Sequence, residues 1–323
     1  RTNILIFATN PEDMVAADND SGLTDSIMVL SVNQETKDVY TVSLPRDLYV
    51  KHSCPTYLGT TSGKLNETYI CGQKEAEDNG ANATDSEKSG QKALAATAQE
   101  VLGLEIQYTA HLNWEVLTGI VDALGGIEVT VDTYDGSPYM YDSRTNVNYK
   151  NGERVQLNGE RALAFSRARY ELSGGAFDRE RNQQKVLAAI VEKVNSSGKS
   201  NPITLMGMFN ALGENVKTDF QASEIQTIAD IAKDFDANKI KSLPLLDDKN
   251  DIRLMTTDSI GGSSVVVPTA GLYQYQDVKA YIAKNTSNDP VLKEEAKIVI
   301  LNGTMISGLA SEQETKLLAD GYN

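Results

Sequence analysis

The protein is 323 residues long, enough for one large domain or two smaller ones, and has a formal net charge of −15. With 40% hydrophobic and 23% charged residues, its composition is that of a globular protein; the acidic balance argues against nucleic-acid binding, because no broad basic stripe could replace counterions. No window approaches the roughly eighteen apolar residues of a membrane-spanning helix, so none is predicted in the residues given.

Three apolar runs near the start of the chain predict β-strands, at residues 4–7, 26–32 and 39–44. Residues 33–37, between the second and third runs, are turn formers and predict a hairpin connection. Residues 73–91 are rich in Glu, Asp, Asn, Ala and Gly, and we interpret them as a solvated loop. The N-terminal part is therefore expected to begin a β-sheet.

The two cysteines, Cys54 and Cys71, flank a turn-rich segment and predict a disulfide, which would suit an exported protein. Two unrelated buried thiols are the alternative. The two histidines, His52 and His111, are too few and badly placed for a zinc site or a Ser-His-Asp triad.

The middle of the chain alternates helix and strand signals. Residues 93–102 predict a helix, and residues 114–124 predict another that stops at the Gly-Gly pair 125–126, since glycine commonly ends a helix. Residues 127–131 alternate as a strand, and residues 134–152 are aromatic and polar and predict a loop.

Arginines cluster in the segment that follows. If the alternating residues 163–169 form a strand, Leu163, Phe165, Arg167 and Arg169 share one face. An apolar stripe at helical spacing comes after a second Gly-Gly pair, formed by Val186, Leu187, Ile190, Val191 and Val194.

Arg179 and Gln183 continue that apolar stripe backward into the first turn of the same helix. Arginines that face an apolar interior need an anion to meet, and free backbone N–H groups at a helix start favour one there. The sequence therefore predicts a buried anion, most plausibly phosphate. The alternative is that these arginines pair with nearby carboxylates.

The last third of the chain predicts helices near residues 202–212 and 222–235, a strand at 265–267 and a helix at 276–283. This interleaving indicates an α/β fold with a central sheet flanked by helices.

Beyond a predicted linker at residues 286–295, residues 296–303 predict a strand and residues 311–318 a helix. We interpret residues 296–323 as the beginning of a second, small α/β unit that is cut short.

Eight separated blocks, in order, resemble the LytR–CpsA–Psr family. They occupy residues 3–10, 24–30, 43–47, 63–66, 121–126, 157–163, 167–169 and 179–184. Residues 298–304 and 308–310 look like the start of a LytR C-terminal domain. The resemblance thus divides the chain into a catalytic domain at 1–285, the linker and a partial C-terminal domain.

The resemblance implies a phosphotransferase that moves a glycopolymer from a polyprenyl diphosphate carrier onto the bacterial cell wall, usually onto peptidoglycan. It implies a mixed sheet between helices with an apolar lipid pocket. It also implies magnesium (or manganese) at the diphosphate, and an outward-facing protein held at the cell membrane by an N-terminal anchor outside these residues.

Matched position by position, the resemblance assigns catalytic roles to Asp25, Arg46, Arg167 and Arg169. It assigns substrate binding to Lys64, Asn66, Arg179 and Gln183, and metal binding to Asp25 and Asn10.

Three positions depart from the family pattern, and the first is Leu23, two residues before Asp25, where an arginine is often found. Asn10 stands where an aspartate is common, and Ala176 stands where an acidic residue is frequent. Asparagine can still offer an oxygen to magnesium, but without charge. A polyprenyl-diphosphate phosphatase, a lipid-linked glycan-binding protein with weakened catalysis, and a wall-associated scaffold remain as alternatives.

Overall fold

A computed structural model of the protein describes residues 1–9, 22–52, 54, 60–196, 216–220, 240–288 and 298–319. The strands are β1 Thr2–Thr9, β2 Thr24–Val32, β3 Val39–Ser43, β4 Tyr49–Lys51, β5 Ser62–Lys64, β6 Tyr108–Asn113, β7 Ile127–Thr130, β8 Tyr139–Asp142, β9 Val147–Lys150, β10 Arg154–Leu157, β11 Val216–Thr218, β12 Ile240–Ser242, β13 Leu246–Asp247, β14 Ile252–Arg253, β15 Met255–Ile260 and β16 Ser263–Pro268. The helices are α1 Thr68–Asp78, α2 Ala83–Leu102, α3 Trp114–Ala123, α4 Gly159–Arg167, α5 Ala176–Ser196, α6 Gln276–Thr286 and α7 Leu309–Ala319. None of the described helices is both long and apolar enough to cross a bilayer.

A six-stranded mixed sheet forms the centre of the described structure, in the order β11-β6-β1-β2-β3-β12. β1 pairs antiparallel with β2 and parallel with β6, whereas β12 pairs parallel with β3. The strands predicted at residues 4–7, 26–32 and 39–44 are confirmed as three neighbouring strands, and the hairpin at 33–37 is confirmed between β2 and β3.

Helices cover both faces of the sheet. Successive side chains of β1 point in opposite directions, so apolar residues of this strand pack against helices on both faces. Leu5 and Phe7 pack on one face in a core with residues of α2 and α6, among them Leu94. Ile6 and Ala8 point to the other face, toward α3 and α5. The predicted α/β fold, with helices on both sides of a central mixed sheet, is therefore confirmed.

A second apolar core lies under α3, α4 and α5, where strands β7 to β10 supply the other side. Ile127, Met140 and Phe165 are fully buried in it. Gly125 and Gly126, at the end of α3, have φ angles of 76° and 90°, a left-handed conformation that suits glycine. The helix predicted at 114–124 and its glycine stop are therefore confirmed.

The prediction of a solvated loop at residues 73–91 was wrong, because α1 extends to Asp78 and α2 begins at Ala83. The side chain of Asn82 accepts a hydrogen bond from the backbone N of Asp85 and so caps α2. Polar residues cover the outer face of these helices, while Leu94 and Ala98 face the core. The high polarity of residues 73–91 therefore comes from the exposed sides of two helices and not from a loop.

Two further predictions were wrong in the middle of the chain. Residues 134–152 contain the antiparallel hairpin β8–β9, not an unstructured loop. Residues 163–167 belong to α4 and not to a strand, because the side chain of Asn158 accepts a hydrogen bond from the backbone N of Arg161 and starts a helix there.

The C-terminal predictions had mixed outcomes. The strand at 265–267 and the helices at 276–283 and 311–318 are confirmed by β16, α6 and α7. Residues 298–303 form no strand; the Leu301 side chain is 85% exposed, so no sheet covers it. The helices near 202–212 and 222–235 fall outside the described residues, and the division into domains stays a prediction.

Cys54 and Cys71 form the predicted disulfide, with Cα atoms 5.8 Å apart. The bridge ties the segment after β4 to α1. By constraining the unfolded chain, a loop of this size contributes about 3 kcal/mol of stability.

Replacing Gly159 with alanine should destabilise the protein by about 2 kcal/mol. Gly159 opens α4 against α3, and an added methyl carbon would lie 2.4 Å from the backbone O of Thr118. Gly303→Ala is the matched control, since a methyl carbon there meets no atom within 4 Å. Urea unfolding measures both; equal loss of stability in the two variants would contradict the close packing of α3 on α4.

Candidate active site

A cleft of about 590 Å³ opens where the start of α3, the end of α4, the start of α5 and the β8–β9 hairpin meet. Its walls are formed by Asp25, Arg46, Trp114, Arg144, Thr145, Glu160, Leu163, Ala164, Arg167, Arg169, Tyr170 and Arg179. Five of the residues predicted from the sequence, Asp25, Arg46, Arg167, Arg169 and Arg179, thus line one cavity.

The arginines reach the cleft from different elements. Arg167 is the last residue of α4, Arg169 follows it, and Arg179 lies in the first turn of α5. Arg179 is only 6% exposed, as the helical stripe predicted. The expectation that Arg167 and Arg169 face an interior was wrong, because the segment is not a strand: Arg167 is exposed and Arg169 half-buried at the rim.

Four of the five arginines in the cleft wall have no carboxylate partner in the described part of the chain. Among the described residues, no carboxylate lies within 4.0 Å of Arg144, Arg167, Arg169 or Arg179. Nε of Arg179 is buried without a hydrogen bond, and burial lowers the pKa of this side chain. The alternative of ion-paired arginines therefore does not hold here, and the cleft has the charge of an anion-binding site.

Arg46 is oriented by two carboxylates. It donates from Nη1 to Asp25 Oδ1, and its Nε lies 3.7 Å from Asp47 Oδ2. Lys64 Nζ donates to Asp47 Oδ1 at 2.9 Å. Burial alone would raise the pKa of Asp47, but this hydrogen bond and the charge of Arg46 lower it below the usual value. Lys64 therefore helps to hold Asp47 in position, and Asp47 in turn helps to orient Arg46.

Asn66 and Gln183 lie beside the cleft rather than in its wall. Asn66 is buried, and its backbone N donates to the carbonyl of Arg46 at 3.0 Å. Gln183 accepts a hydrogen bond from Ser26 Oγ at 2.8 Å. The side chains of Asn66 and Gln183 each retain one buried polar atom, Oδ1 and Nε2, without a partner. Together with Arg179 Nε, they leave hydrogen-bonding capacity for a ligand.

An apolar cavity of about 190 Å³, which we call the apolar channel, lies next to the cleft, between the central sheet and helices α3 and α5. Its walls include Ile6, Met28, Leu117, Leu187 and Ile190. Trp114 lines both the cleft and the channel. A polar, cationic cavity therefore adjoins an apolar one, as a diphosphate on a hydrocarbon chain requires.

The β8–β9 hairpin brings residues to the site that the sequence interpretation missed. Asp142, fully buried, accepts hydrogen bonds from the backbone N of Arg144 and Thr145 and from the backbone N of Arg169 and Tyr170. These bonds outweigh the effect of burial and lower the pKa of Asp142. The alternating residues 139–142 and 147–150 around a turn were the signal that could have revealed this hairpin.

Of the two predicted metal-binding residues, the structure describes Asp25, whereas Asn10 lies outside the described residues. Within the described ranges, no group of three or more His, Cys, Asp or Glu side chains is arranged to hold a metal ion. One carboxylate beside an anion site still suits magnesium, which is commonly bound by one or two carboxylates together with substrate phosphates.

The LytR_cpsA_psr family model matches residues 1–270. The chain belongs to the LytR_cpsA_psr family. A Bacillus mycoides member named polyisoprenyl-teichoic acid–peptidoglycan teichoic acid transferase TagU is 29% identical over 207 residues, which cover 64% of this chain and 58% of that protein. The match thus spans less than two thirds of that relative's length.

Solved structures agree on the fold. The crystal structure of Bacillus subtilis TagV is similar with a TM-score of 0.64 and 22% identity, over 90% of this chain and 98% of that chain. A structure of TagT bound to LI-WTA is similar with a TM-score of 0.58 and 18% identity, over 88% and 90% of the two chains.

The family's Arg179-Glu180-Arg181 block contains a buried acid. Glu180 is 9% exposed, and its Oε1 has no hydrogen-bond partner. Burial raises the pKa of Glu180 to about 7, although the charges of Arg179 and Arg181 oppose the shift. Near neutral pH, Glu180 is therefore partly protonated and neutralises the Arg179 charge only in part.

Stability should fall as pH rises because of Glu180. The folded protein holds the Glu180 proton more tightly than the unfolded chain, in which a Glu has a pKa near 4.5. Stability is therefore lost as the pH rises from about 4.5 through about 7. The loss amounts to at most about 3 kcal/mol. Glu180→Gln should remove this dependence.

Urea unfolding at pH 5 and pH 8 measures the effect. The matched control is Glu75→Gln, because Glu75 is exposed on α1 and the variant should keep the wild-type pH dependence. The same pH dependence in wild type and Glu180→Gln would exclude a raised pKa at this residue.

Proposed function

We propose that the protein is a phosphotransferase that moves a glycopolymer from a polyprenyl diphosphate carrier onto peptidoglycan or another acceptor of the bacterial cell wall. One observation carries the proposal: arginines without carboxylate partners line a cleft that adjoins an apolar channel. Membership of the family and the name of the TagU relative support it.

The chemistry is substitution at the glycan-side phosphorus of the donor. A hydroxyl oxygen of the acceptor forms a bond to this phosphorus, the bond from phosphorus to the bridging oxygen breaks, and the lipid leaves as a monophosphate. Negative charge grows on the non-bridging and leaving oxygens. Arg167, Arg169 and Arg179 stabilise that charge, because the fold holds these side chains in place before the reaction begins.

Asp25 has three roles in this proposal. It holds Arg46 in place, and it is the cleft carboxylate we propose to accept the proton of the attacking hydroxyl. Magnesium, bound by Asp25 and Asn10 with the diphosphate, would supply further charge stabilisation. Manganese is the alternative metal.

The protein is proposed to act outside the cytoplasm, held at the cell membrane by an anchor. The Cys54–Cys71 disulfide supports an oxidising location, because disulfides are uncommon in the cytosol. At that location the apolar channel could take up the carrier lipid from the outer leaflet.

The transfer assay combines a prenyl-diphosphate-linked disaccharide with peptidoglycan fragments and measures prenyl monophosphate release. Arg179→Gln should lower kcat/KM at least about 100-fold, because it removes a buried charge that meets the reacting phosphate. Arg154→Gln, a change at an exposed position of strand β10, is the control. Equal release with and without acceptor would indicate a phosphatase; binding without release would indicate a binding protein.

Leu187→Gln separates recognition of the lipid from recognition of the head group. Leu187 lines the channel and not the cleft, so the variant should bind farnesyl diphosphate roughly tenfold more weakly while its affinity for inorganic pyrophosphate is unchanged. Fluorescence is the measurement, because Trp114 is the single tryptophan of the chain. Weaker binding of both ligands would show that cleft and channel are not separate subsites.

Magnesium should tighten pyrophosphate binding to the wild type, and Asp25→Asn should lose most of that gain, because the amide supplies no charge to the metal. The same fluorescence titration, with magnesium or with a chelator, measures the effect. A full magnesium effect in Asp25→Asn would remove Asp25 from the proposed metal site.

A further inference from the structure

The cleft wall contains a second carboxylate besides Asp25, that of Glu160 on α4. Asp25 is paired with Arg46, whereas the Glu160 side chain makes no ion pair and no hydrogen bond with any residue that the structure describes. Five arginines line the same cavity, and a carboxylate placed to neutralise them would lie within 4.0 Å of one. Glu160 therefore does not compensate the arginines, and its carboxylate is available to a ligand.

Glu160 and the arginines lie at opposite ends of the wall that α4 forms. This helix contributes residues of one helical face to the cleft, Glu160, Leu163, Ala164 and Arg167. Glu160 is seven residues before Arg167, which corresponds to about 10 Å along the helix axis. The first turn of a helix favours a negative charge and the last turn a positive one. The α4 wall is therefore negative at one end and positive at the other.

The start of α4 is fixed by its neighbours. The side chain of Asn158 accepts a hydrogen bond from the backbone N of Arg161 at 3.0 Å, and the backbone N of Gly159 donates to Asp122 Oδ1 at 2.7 Å. Gly159 packs so closely on α3 that an added methyl carbon would lie 2.4 Å from a backbone O of that helix. The backbone that carries Glu160 is therefore held in place relative to the rest of the cleft.

The Glu160 end of the cleft lies away from the apolar channel. The Arg167 guanidinium carbon lies 5.9 Å from the centroid of the Trp114 ring, which lines both cavities, whereas the first turn of α4 packs near the end of α3, at Asp122. Displacement at phosphorus proceeds in line, so the attacking oxygen enters opposite the leaving group. In the proposed reaction the lipid phosphate leaves on the Trp114 side, and the acceptor therefore enters from the Glu160 side.

We propose that Glu160 is a specificity-determining residue for the acceptor and that its carboxylate binds a protonated amine on the acceptor glycan. A carboxylate attracts an ammonium group and repels the donor phosphates, which the arginines bind at the other end of α4. Peptidoglycan whose peptides carry a free amine has the required chemistry. This subsite rests on the proposed transferase function and adds a preference for amine-bearing acceptors.

The test uses the transfer assay with two acceptors, a peptidoglycan fragment with a free amine and the same fragment after acetylation of that amine. With the free amine, Glu160→Gln should raise the acceptor KM about fivefold and change kcat less than about twofold, since an exposed ion pair contributes about that much. With the acetylated fragment, Glu160→Gln and wild type should have the same KM. Glu160→Asp should fall between wild type and Glu160→Gln, because it keeps the charge on a shorter side chain.

Glu115→Gln is the matched control, because Glu115 lies exposed in the first turn of α3, after an asparagine cap, and outside the walls of both cavities. Binding of pyrophosphate, followed by Trp114 fluorescence, gives a readout that does not depend on turnover. Glu160→Gln should change this affinity less than about twofold, since a separation of about 10 Å is comparable to the Debye length.

Three results would overturn the amine contact while leaving the transferase proposal intact. They are an unchanged acceptor KM in Glu160→Gln, an equal rise of KM with both acceptors, and clearly weaker pyrophosphate binding by the variant. If the wild type transfers glycan to neither acceptor, the transferase proposal falls, and the Glu160 subsite falls with it.

Discussion

Uncompensated positive charge at one cleft is the constraint on which the rest of this structure depends. The chain carries fifteen more negative than positive formal charges, yet four guanidinium groups meet around one cavity without a carboxylate within ion-pair distance in the described residues. Repulsion among these groups disfavours the ligand-free fold. The surrounding structure must therefore hold them in place, and a bound anion relieves the repulsion.

Arg46 also lines the cleft, and three anchors, each a different kind of interaction, hold it, Arg179 and Arg169 in place. Arg179 is fixed by the rigid first turn of α5, Arg46 by hydrogen bonds and charges from Asp25 and Asp47, and Arg169 by backbone hydrogen bonds to Asp142. Because each anchor belongs to a different element, the central sheet and the packing of α3 on α4 determine their relative placement. Preorganisation of this kind is how a site stabilises a charged transition state without rearranging.

Much of this could be predicted from the sequence, for identifiable reasons. Strands β1, β2 and β3 are rich in branched apolar residues, so the sequence was sufficient to identify them, and the stripe of α5 correctly placed Arg179 inside. The predictions failed where they relied on amino-acid composition and not on local sequence signals. The N-cap residues Asn82 of α2 and Asn158 of α4 were not recognised. Arg144 and Tyr170 were missed because only tertiary structure brings the hairpin to the α4–α5 segment. The unpaired state of the arginines could not be predicted, since it depends on where every carboxylate of the fold lies.

Helix α5 spans the distance between the cleft and the far part of the apolar channel. Arg179 in its first turn contacts the cleft, and Ile190, eleven residues later, still lines the channel; at 1.5 Å per residue the two lie about 16 Å apart along one rigid axis. In the proposed function, a carrier lipid many isoprene units long exceeds that span, so its distal end would extend beyond the channel walls described. Discrimination between carriers then falls on the units nearest the phosphates, and the remaining tail can stay in the bilayer throughout the reaction.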